Sequence, residues 1–214
     1  MHGTLYALCA DCAGGIVRAA GEGLHVAFVP DLFHGQKTLT DAFARPLQQR
    51  VKQAHEASRE LAVTLLTMRA ANDCDANAPV APGSSLDLAE RAEAAARSAY
   101  CAAVEDQRLL GEVRRGLGLV LHPVNLFDGK LRDAQTVDGD LHDTLDRLEP
   151  VAARLGERCV AAVASVRALT LGWSLSVYRG YGMVEARLTA ENLSPSLLRL
   201  LWTVLIPACY LAWV

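Results

Sequence analysis

The sequence is poor in aromatic residues and carries no excess of positive charge. Aromatic side chains make up 6% of the 214 residues, and 21 Lys and Arg stand against 24 Asp and Glu, for a net charge of −3. Such a protein has no general electrostatic attraction to DNA or to an anionic membrane, so any DNA contact has to be local. The low aromatic content and the Ala- and Leu-rich sequence from about residue 40 onward predict a mainly α fold.

A secretion signal and a complete set of zinc ligands are also missing. The opening residues, MHGTLYALCADCAGG, lack the basic start and long apolar stretch of a signal peptide. We therefore expect the six cysteines to be reduced thiols in the cytoplasm. Cys9 and Cys12 form a spaced pair, but no second Cys or His pair of matching spacing completes a metal site, which disfavours a metal or redox role.

The first 35 residues have the pattern of a strand, a helix and a second strand. Two short apolar runs, Thr4–Ala10 and Leu24–Val29, flank a short helical stretch at Ala13–Ala20. The residues between the runs are about the minimum needed to connect two parallel strands. The pattern therefore predicts a small parallel pair with a helical crossover.

Three polar residues follow these predicted strands. Asp11 and Asp31 come directly after them, so both carboxylates are expected at the carboxyl ends of adjacent parallel strands, where open α/β sheets bind ligands. Two such acids can share a divalent cation such as Mg²⁺, or they can serve as turn and cap residues. His34 lies three residues after Asp31, and a metal ligand, a hydrogen-bonded orienting group and a structural histidine are all open interpretations.

The rest of the chain has helical periodicity. Thr38 or Thr40 is expected to cap a first helix that passes Pro46 and ends near Asn72, and a Pro-rich linker follows. Ser85 is expected to cap a second long helix, to about Leu121, that forms an antiparallel hairpin with the first. The remaining expectations are a helical region from Thr136 to about Leu171 interrupted at Pro150, a break over 172–182, and a terminal helix opened by Ser194 and Pro195.

The last 18 residues, Leu197–Val214, are almost entirely apolar, with Arg199 as their single charge. This length is marginal for crossing a membrane. Pro207 lies in the middle of the stretch and no basic cluster flanks its end, which favours a buried helix over a membrane span. A membrane-associated helical protein remains an alternative.

The order of several short motifs resembles that of a known enzyme family. The segments ADCAGGI (Ala10–Ile16) and PDLFH (Pro30–His34) resemble the second catalytic aspartate region and the Asp-x-x-His motif of DDE transposases from bacterial insertion sequences, which have an RNase H-like core. One branch of that family continues with a helical hairpin, a Leu-His-Pro segment, an aspartate, a Thr-x-Val helix start and a Leu-Pro-x-x-Tyr segment. The corresponding residues here are Leu121-His122-Pro123, Asp128, Thr136-Val137 and Ile206-Pro207-Ala208-Cys209-Tyr210.

The resemblance implies a mainly α protein in two parts. Residues 1–35 would be a strand-helix-strand remnant of an RNase H-like α/β core. Residues 36–214 would be an all-helical insertion of long antiparallel helices with a flexible hairpin tip near 72–85. Its expected partners are DNA, an intact transposase or a second copy of itself, with no membrane.

The resemblance also assigns roles to individual residues. Asp11 would be the catalytic, metal-binding carboxylate, and Asp31 and His34 would support it. The family enzyme uses two Mg²⁺ ions to cut and join DNA. Its first aspartate is expected before Met1 and its final glutamate beyond Val214, so the chain is expected to be truncated and inactive by itself; Glu185 precedes the Leu-Pro-x-x-Tyr segment and does not fit the family order.

A few further residues have a simpler interpretation. Cys12, Gly14 and Gly15 replace basic residues that are common in the family, which weakens the expected contact with DNA. Arg114 and Arg115 are expected to be solvated helix-face charges, with DNA contact as the alternative. The three tryptophans, Trp173, Trp202 and Trp213, are expected to be core or interface anchors rather than base-stacking platforms.

Overall fold

The protein is mainly helical, as its composition predicts. The structure, a computed structural model, describes residues 7–10, 18, 22, 27–71 and 83–213. The elements in chain order are β1 (Ala7–Ala10), β2 (Ala27–Pro30), α1 (Leu32–Ala71), α2 (Ser85–Val120), α3 (Ala134–Asp146), α4 (Glu149–Leu155), α5 (Glu157–Arg167), α6 (Thr170–Ala190), α7 (Pro195–Leu200), a π-helical segment (Leu201–Leu205) and α8 (Ile206–Trp213).

The two short strands pair in parallel. Ala7 lies opposite Ala27 and Ala10 lies opposite Pro30. Both strands fall at the apolar runs that the sequence marks as strands. The predicted crossover helix at Ala13–Ala20 lies, apart from residue 18, outside the described residues.

The chain divides into two compact units, Met1–Thr40 with Glu112–Val214 and Asp41–Gly111. The unit Asp41–Gly111 is an antiparallel helical hairpin. Three pairs link its helices: Arg69 to Glu90 at 2.5 Å, the rings of His55 and Tyr100 at 5.2 Å between centroids, and Arg50 to Asp106 at 3.4 Å. Residue numbers fall along α1 as they rise along α2, which confirms the predicted antiparallel arrangement.

The capping residues of α1 differ from the prediction. The helix begins at Leu32, and Thr38 and Thr40 lie inside it. Their hydroxyls donate hydrogen bonds to the carbonyls of His34 and Gln36, at 2.9 and 2.8 Å, as threonines in helix interiors do. The predicted threonine cap is therefore wrong. Pro46 lies within α1 and does not end it.

The cap of α2 lies one residue before the predicted one. Ser84, not Ser85, accepts a hydrogen bond from the N–H of Asp87 at 3.1 Å, and the Asp87 carboxylate accepts one from the N–H of Gly83 at 2.8 Å. This reciprocal arrangement satisfies N–H groups that a helix start leaves free. The hydrogen bond from Gly83 also lowers the pKa of Asp87.

The apolar core of the unit Met1–Thr40 with Glu112–Val214 forms where α3 packs on α6, with α4 and α5 beside them. The pattern of α3 explains this packing, since apolar residues recur every three or four positions along it. The fully buried side chains of this unit include Leu39, Val113, Leu117, Val124, Val137, Leu141, Leu145, Leu148, Val166 and Trp173.

The break predicted over residues 172–182 does not exist. α6 runs without interruption from Thr170 to Ala190, although Gly172, Gly180 and Gly182 lie within it. A glycine costs about 1 kcal/mol in a helix interior, and buried side chains such as Trp173 and Val177 offset this cost. Tertiary packing therefore overrides the local signal.

The terminal helical segment begins as predicted but is not buried. Ser194 caps α7 by accepting a hydrogen bond from the N–H of Leu197, with Pro195 in the first turn. Pro207 has no N–H to donate and would clash with a regular preceding turn, and the turn before it is π-helical. Between residues 195 and 212 only Pro207 is buried, so the expectation of a buried helix is wrong for the described residues.

Candidate functional site

The candidate site begins where β2 ends. Ala10 and Pro30 are paired at the last position of both strands, and the chain continues from them to Asp11 and Asp31. Asp11, the residue expected to bind metal, lies outside the described residues. So does Cys12, and of Cys9 only the backbone in β1 is described.

Asp31 acts as the N-terminal cap of α1. Its carboxylate Oδ1 accepts a hydrogen bond from the backbone N–H of Phe33 at 3.0 Å, and its side chain is half-buried. A carboxylate at this position also interacts favourably with the positive end of the helix dipole. Both the cap interpretation and a supporting role in the motif are compatible with this geometry.

His34 lies in the first turn of α1 and is half-buried. Within the described part of the chain, the only hydrogen bond of this residue outside the helix ladder is the one its backbone carbonyl accepts from Thr38. The structure does not join the His34 ring to Asp31 by a hydrogen bond. Among the described residues, no group of three or more His, Cys, Asp or Glu side chains has the arrangement of a metal site.

The end of β2 is fixed from the other side by α6. The indole Nε1–H of Trp173 donates a hydrogen bond to the carbonyl of Pro30 at 2.8 Å, in a buried environment. The tryptophan is 1% exposed. Trp173 is therefore a core anchor, as the sequence predicts, and it contacts the residue that precedes Asp31.

Two motif segments that are distant in sequence meet in this unit. His122 Nδ1 lies 2.6 Å from the hydroxyl of Tyr210, and the two rings pack edge to face at 5.9 Å between centroids. Burial raises the pKa of Tyr210. This contact joins the segment Leu121–Pro123 to the segment Ile206–Tyr210.

A half-buried arginine, Arg132, organises the loop between α2 and α3. The guanidinium of Arg132 forms an ion pair with Asp140 and donates to the carbonyl of Val120 at 3.1 Å. Tyr181 donates from its hydroxyl to the carbonyl of Pro123 and accepts from the N–H of Arg132. Burial lowers the pKa of Arg132 and raises that of Tyr181. Sequence reasoning missed both residues, because nothing local marks contacts that span 49 or more positions.

The other motif residues in this region have structural roles. Asp128 is exposed, and its carboxylate accepts a hydrogen bond from the N–H of Lys130 at 3.0 Å, as in a turn. Asp133, not Thr136, caps α3, with its Oδ1 2.7 Å from the N–H of Thr136. Val137, the last residue of that motif, is fully buried.

An apolar cavity of about 420 Å³ lies beside the two tyrosines. Tyr181, Trp202 and Tyr210 form part of its wall, and the rings of Tyr181 and Trp202 pack edge to face at 5.8 Å between centroids. The remaining lining residues are Leu121, Pro123, Val124, Leu131, Ser176, Val177, Gly180, Val184 and Ile206.

Two helical stretches are long and apolar enough to cross a membrane, by length and composition only. They are Glu157–Ala190, whose most apolar 18 residues are 39% buried, and Pro195–Ala212, of which 6% is buried. Such stretches are also found in soluble proteins.

Of the other candidate residues, Glu185 and Arg115 are exposed and Arg114 is half-buried. Trp202 is half-buried, and for Trp213 the structure describes the backbone but not the side chain.

Comparison of the chain with protein-family models, with curated proteins and with solved structures found no match. The functional assignment therefore depends on the motifs and on the contacts described above.

Proposed function

We propose that this chain is part of a DDE-type DNA transposase from a bacterial insertion sequence and that it is not catalytic by itself. The observation that carries the proposal is the contact between His122 and Tyr210. These residues are 88 positions apart, belong to two different segments of the family pattern, and lie 2.6 Å from each other.

The N-terminal region supports the same proposal. Parallel pairing of Ala10 with Pro30 brings together the strand ends that lead to Asp11 and Asp31, the edge at which open α/β sheets bind ligands. In the complete enzyme, Asp11 would help to hold Mg²⁺, which stabilises the charge that develops when a DNA phosphodiester is cut. Asp31 and His34 would shape the site, because the Asp31 carboxylate is engaged in capping α1.

The absence of catalysis by the chain alone follows from the number of carboxylates. A two-metal site needs three or more acidic ligands, and the motif match supplies Asp11 alone.

The test is a cleavage assay with a restored enzyme. The chain is expressed together with the coding sequences that flank it in its DNA, and cutting of labelled terminal DNA is measured with and without MgCl₂. We expect Mg²⁺-dependent cleavage that Asp11→Asn abolishes and that Asp143→Asn, a change at an exposed position of α3 outside the motifs, leaves intact. Cleavage that is unaffected by Asp11→Asn, or Mg²⁺-dependent cleavage by the chain alone, would contradict the proposal.

A second candidate function is a helical module that binds an intact transposase and inhibits it. Exposed apolar side chains on the terminal helical segment favour this alternative, with Leu200 at 46% and Val204 at 50% exposure. Adding the chain to an intact transposase should then lower the frequency of transposition, and a Leu200→Glu, Val204→Glu variant should not. An unchanged frequency with the unaltered chain would remove this candidate.

A further inference from the structure

The position of the Asp31–His34 motif depends on a residue far away in the sequence. Trp173, in α6, is 143 positions from Pro30, and its indole N–H donates to the Pro30 carbonyl at 2.8 Å. Pro30 is itself buried, so without this donor its carbonyl would be a buried acceptor with one fewer partner. The bond fixes the last peptide before Asp31.

Two glycines allow the ring to reach this position. A Cβ atom on Gly35 would lie 2.6 Å from Cη2 of Trp173, and a Cβ atom on Gly172 would lie 2.6 Å from Cδ of Pro30. Carbon atoms in van der Waals contact are about 3.5–4.0 Å apart, so neither site accepts a side chain without movement. The Trp173 ring therefore packs directly against α1 at Gly35, and α6 packs directly against the end of β2 at Gly172.

We propose that Trp173 is a positioning residue for the Asp31–His34 motif. Its indole N–H holds the Pro30 carbonyl, its ring packs on Gly35 one residue beyond His34, and together these contacts set where the turn from β2 into α1 lies. The motif residues thus occupy their positions only while α6 is packed against the strand end. What the motif does chemically rests on the proposed function, but the positioning role does not.

The test removes the indole N–H of Trp173 in the whole chain and leaves the rest of the protein unchanged. Site-specific incorporation of benzothienylalanine at position 173 replaces the indole N–H by sulfur and keeps the size of the ring. The readout is amide hydrogen exchange, followed by NMR, at two matched caps: the Phe33 amide, bonded to Asp31 at 3.0 Å, and the Thr136 amide, bonded to Asp133 at 2.7 Å. Exchange at the fully buried Leu145 position in α3 reports on global opening.

We expect the Phe33 amide to exchange roughly five- to tenfold faster, which corresponds to the loss of one buried hydrogen bond. The Thr136 amide should be unchanged, because a local opening at the Asp133 cap leaves the contact between Trp173 and Pro30 intact, and the Leu145 amide measures how far global stability falls. Trp173→Phe should produce the same local pattern with a larger effect, and Trp202→Phe should leave the Phe33 amide unaffected. Equal acceleration at the Phe33 and Thr136 amides would show a general packing role and overturn the proposal. Unchanged exchange at Phe33 in both Trp173 variants would overturn it as well. Neither result depends on DNA cleavage, so failure of the positioning role and failure of the transposase assignment are separate outcomes.

Discussion

Replacement of Gly35 by alanine is a quantitative test of the packing between α1 and α6. In a helix, alanine is favoured over glycine by about 1 kcal/mol. Against this gain, the new Cβ atom would lie 2.6 Å from Cη2 and 2.8 Å from Cζ2 of Trp173, about 1 Å closer than a normal carbon contact. The ring is 1% exposed and is held by its hydrogen bond to Pro30, so it has little room to retreat.

Overpacking of this kind costs about 1–3 kcal/mol, and the short distances put Gly35→Ala at the upper end. After subtraction of the helix gain, we expect the free energy of unfolding to fall by about 2 kcal/mol. The assay is urea unfolding followed by far-UV circular dichroism. The matched control is Gly139→Ala in α3, where a Cβ atom meets nothing within 4 Å, and this variant should gain up to about 1 kcal/mol. A Gly35→Ala protein as stable as the Gly139→Ala protein would refute the packing.

Three further changes test the caps and the long-range contact, each by the same unfolding assay. Ser84→Ala should lower the free energy of unfolding by about 1 kcal/mol, because it removes the α2 cap, and Ser85→Ala should lower it by a few tenths of a kcal/mol. The reverse order would support the cap predicted from sequence. Tyr210→Phe should cost about 1 kcal/mol by removing the hydroxyl bonded to His122, and an equal loss in the exposed Tyr178→Phe control would contradict this. The pKa of Asp133 is lowered because its carboxylate accepts the hydrogen bond from the N–H of Thr136. The cap therefore contributes fully to stability above the pKa of Asp133 in the unfolded chain, near pH 4, and this contribution is lost as the pH falls through the lower pKa of the folded protein. Asp133→Asn keeps a capping acceptor that does not titrate, so its stability should fall less on acidification; an identical pH profile would exclude this cause.

The features that the sequence predicts correctly are local ones. The parallel strands and the helical hairpin are evident because apolar runs, helical periodicity and a Pro-rich linker each act over a few residues. The opening of the terminal helix at Ser194 and Pro195 is correct for the same reason, since the cap and the first-turn proline are adjacent in sequence.

The features that the sequence does not predict depend on tertiary contacts. Helix α6 continues through Gly172 because a small residue is needed against Pro30, and no pattern within the helix reveals that neighbour. The link from Trp173 to Pro30 and the link from Tyr181 to Pro123 join distant positions in the same way. The cap at Asp31 is one of the alternatives that the sequence leaves open, because an aspartate directly before a helical run is a common N-cap, and the hydrogen bond from Phe33 selects it.

The exposed terminal helix illustrates the same limit in another form. Composition correctly marks Leu197–Val214 as a segment that would gain by burial, yet the described residues of this segment are mostly exposed. The hydrophobic effect predicts that an apolar segment is more stable when buried, but it does not predict which segment or protein buries it.

The most direct test of the transposase assignment is to sequence the DNA on both sides of this reading frame and to translate it in all frames. The account predicts a strand-borne aspartate encoded upstream and a glutamate-bearing helix encoded downstream, in the order of a DDE transposase, which would make Asp11 the second of its three carboxylates. Unrelated genes on both sides, with neither acidic segment in any frame, would contradict the assignment and leave a free-standing helical interaction protein as the better explanation.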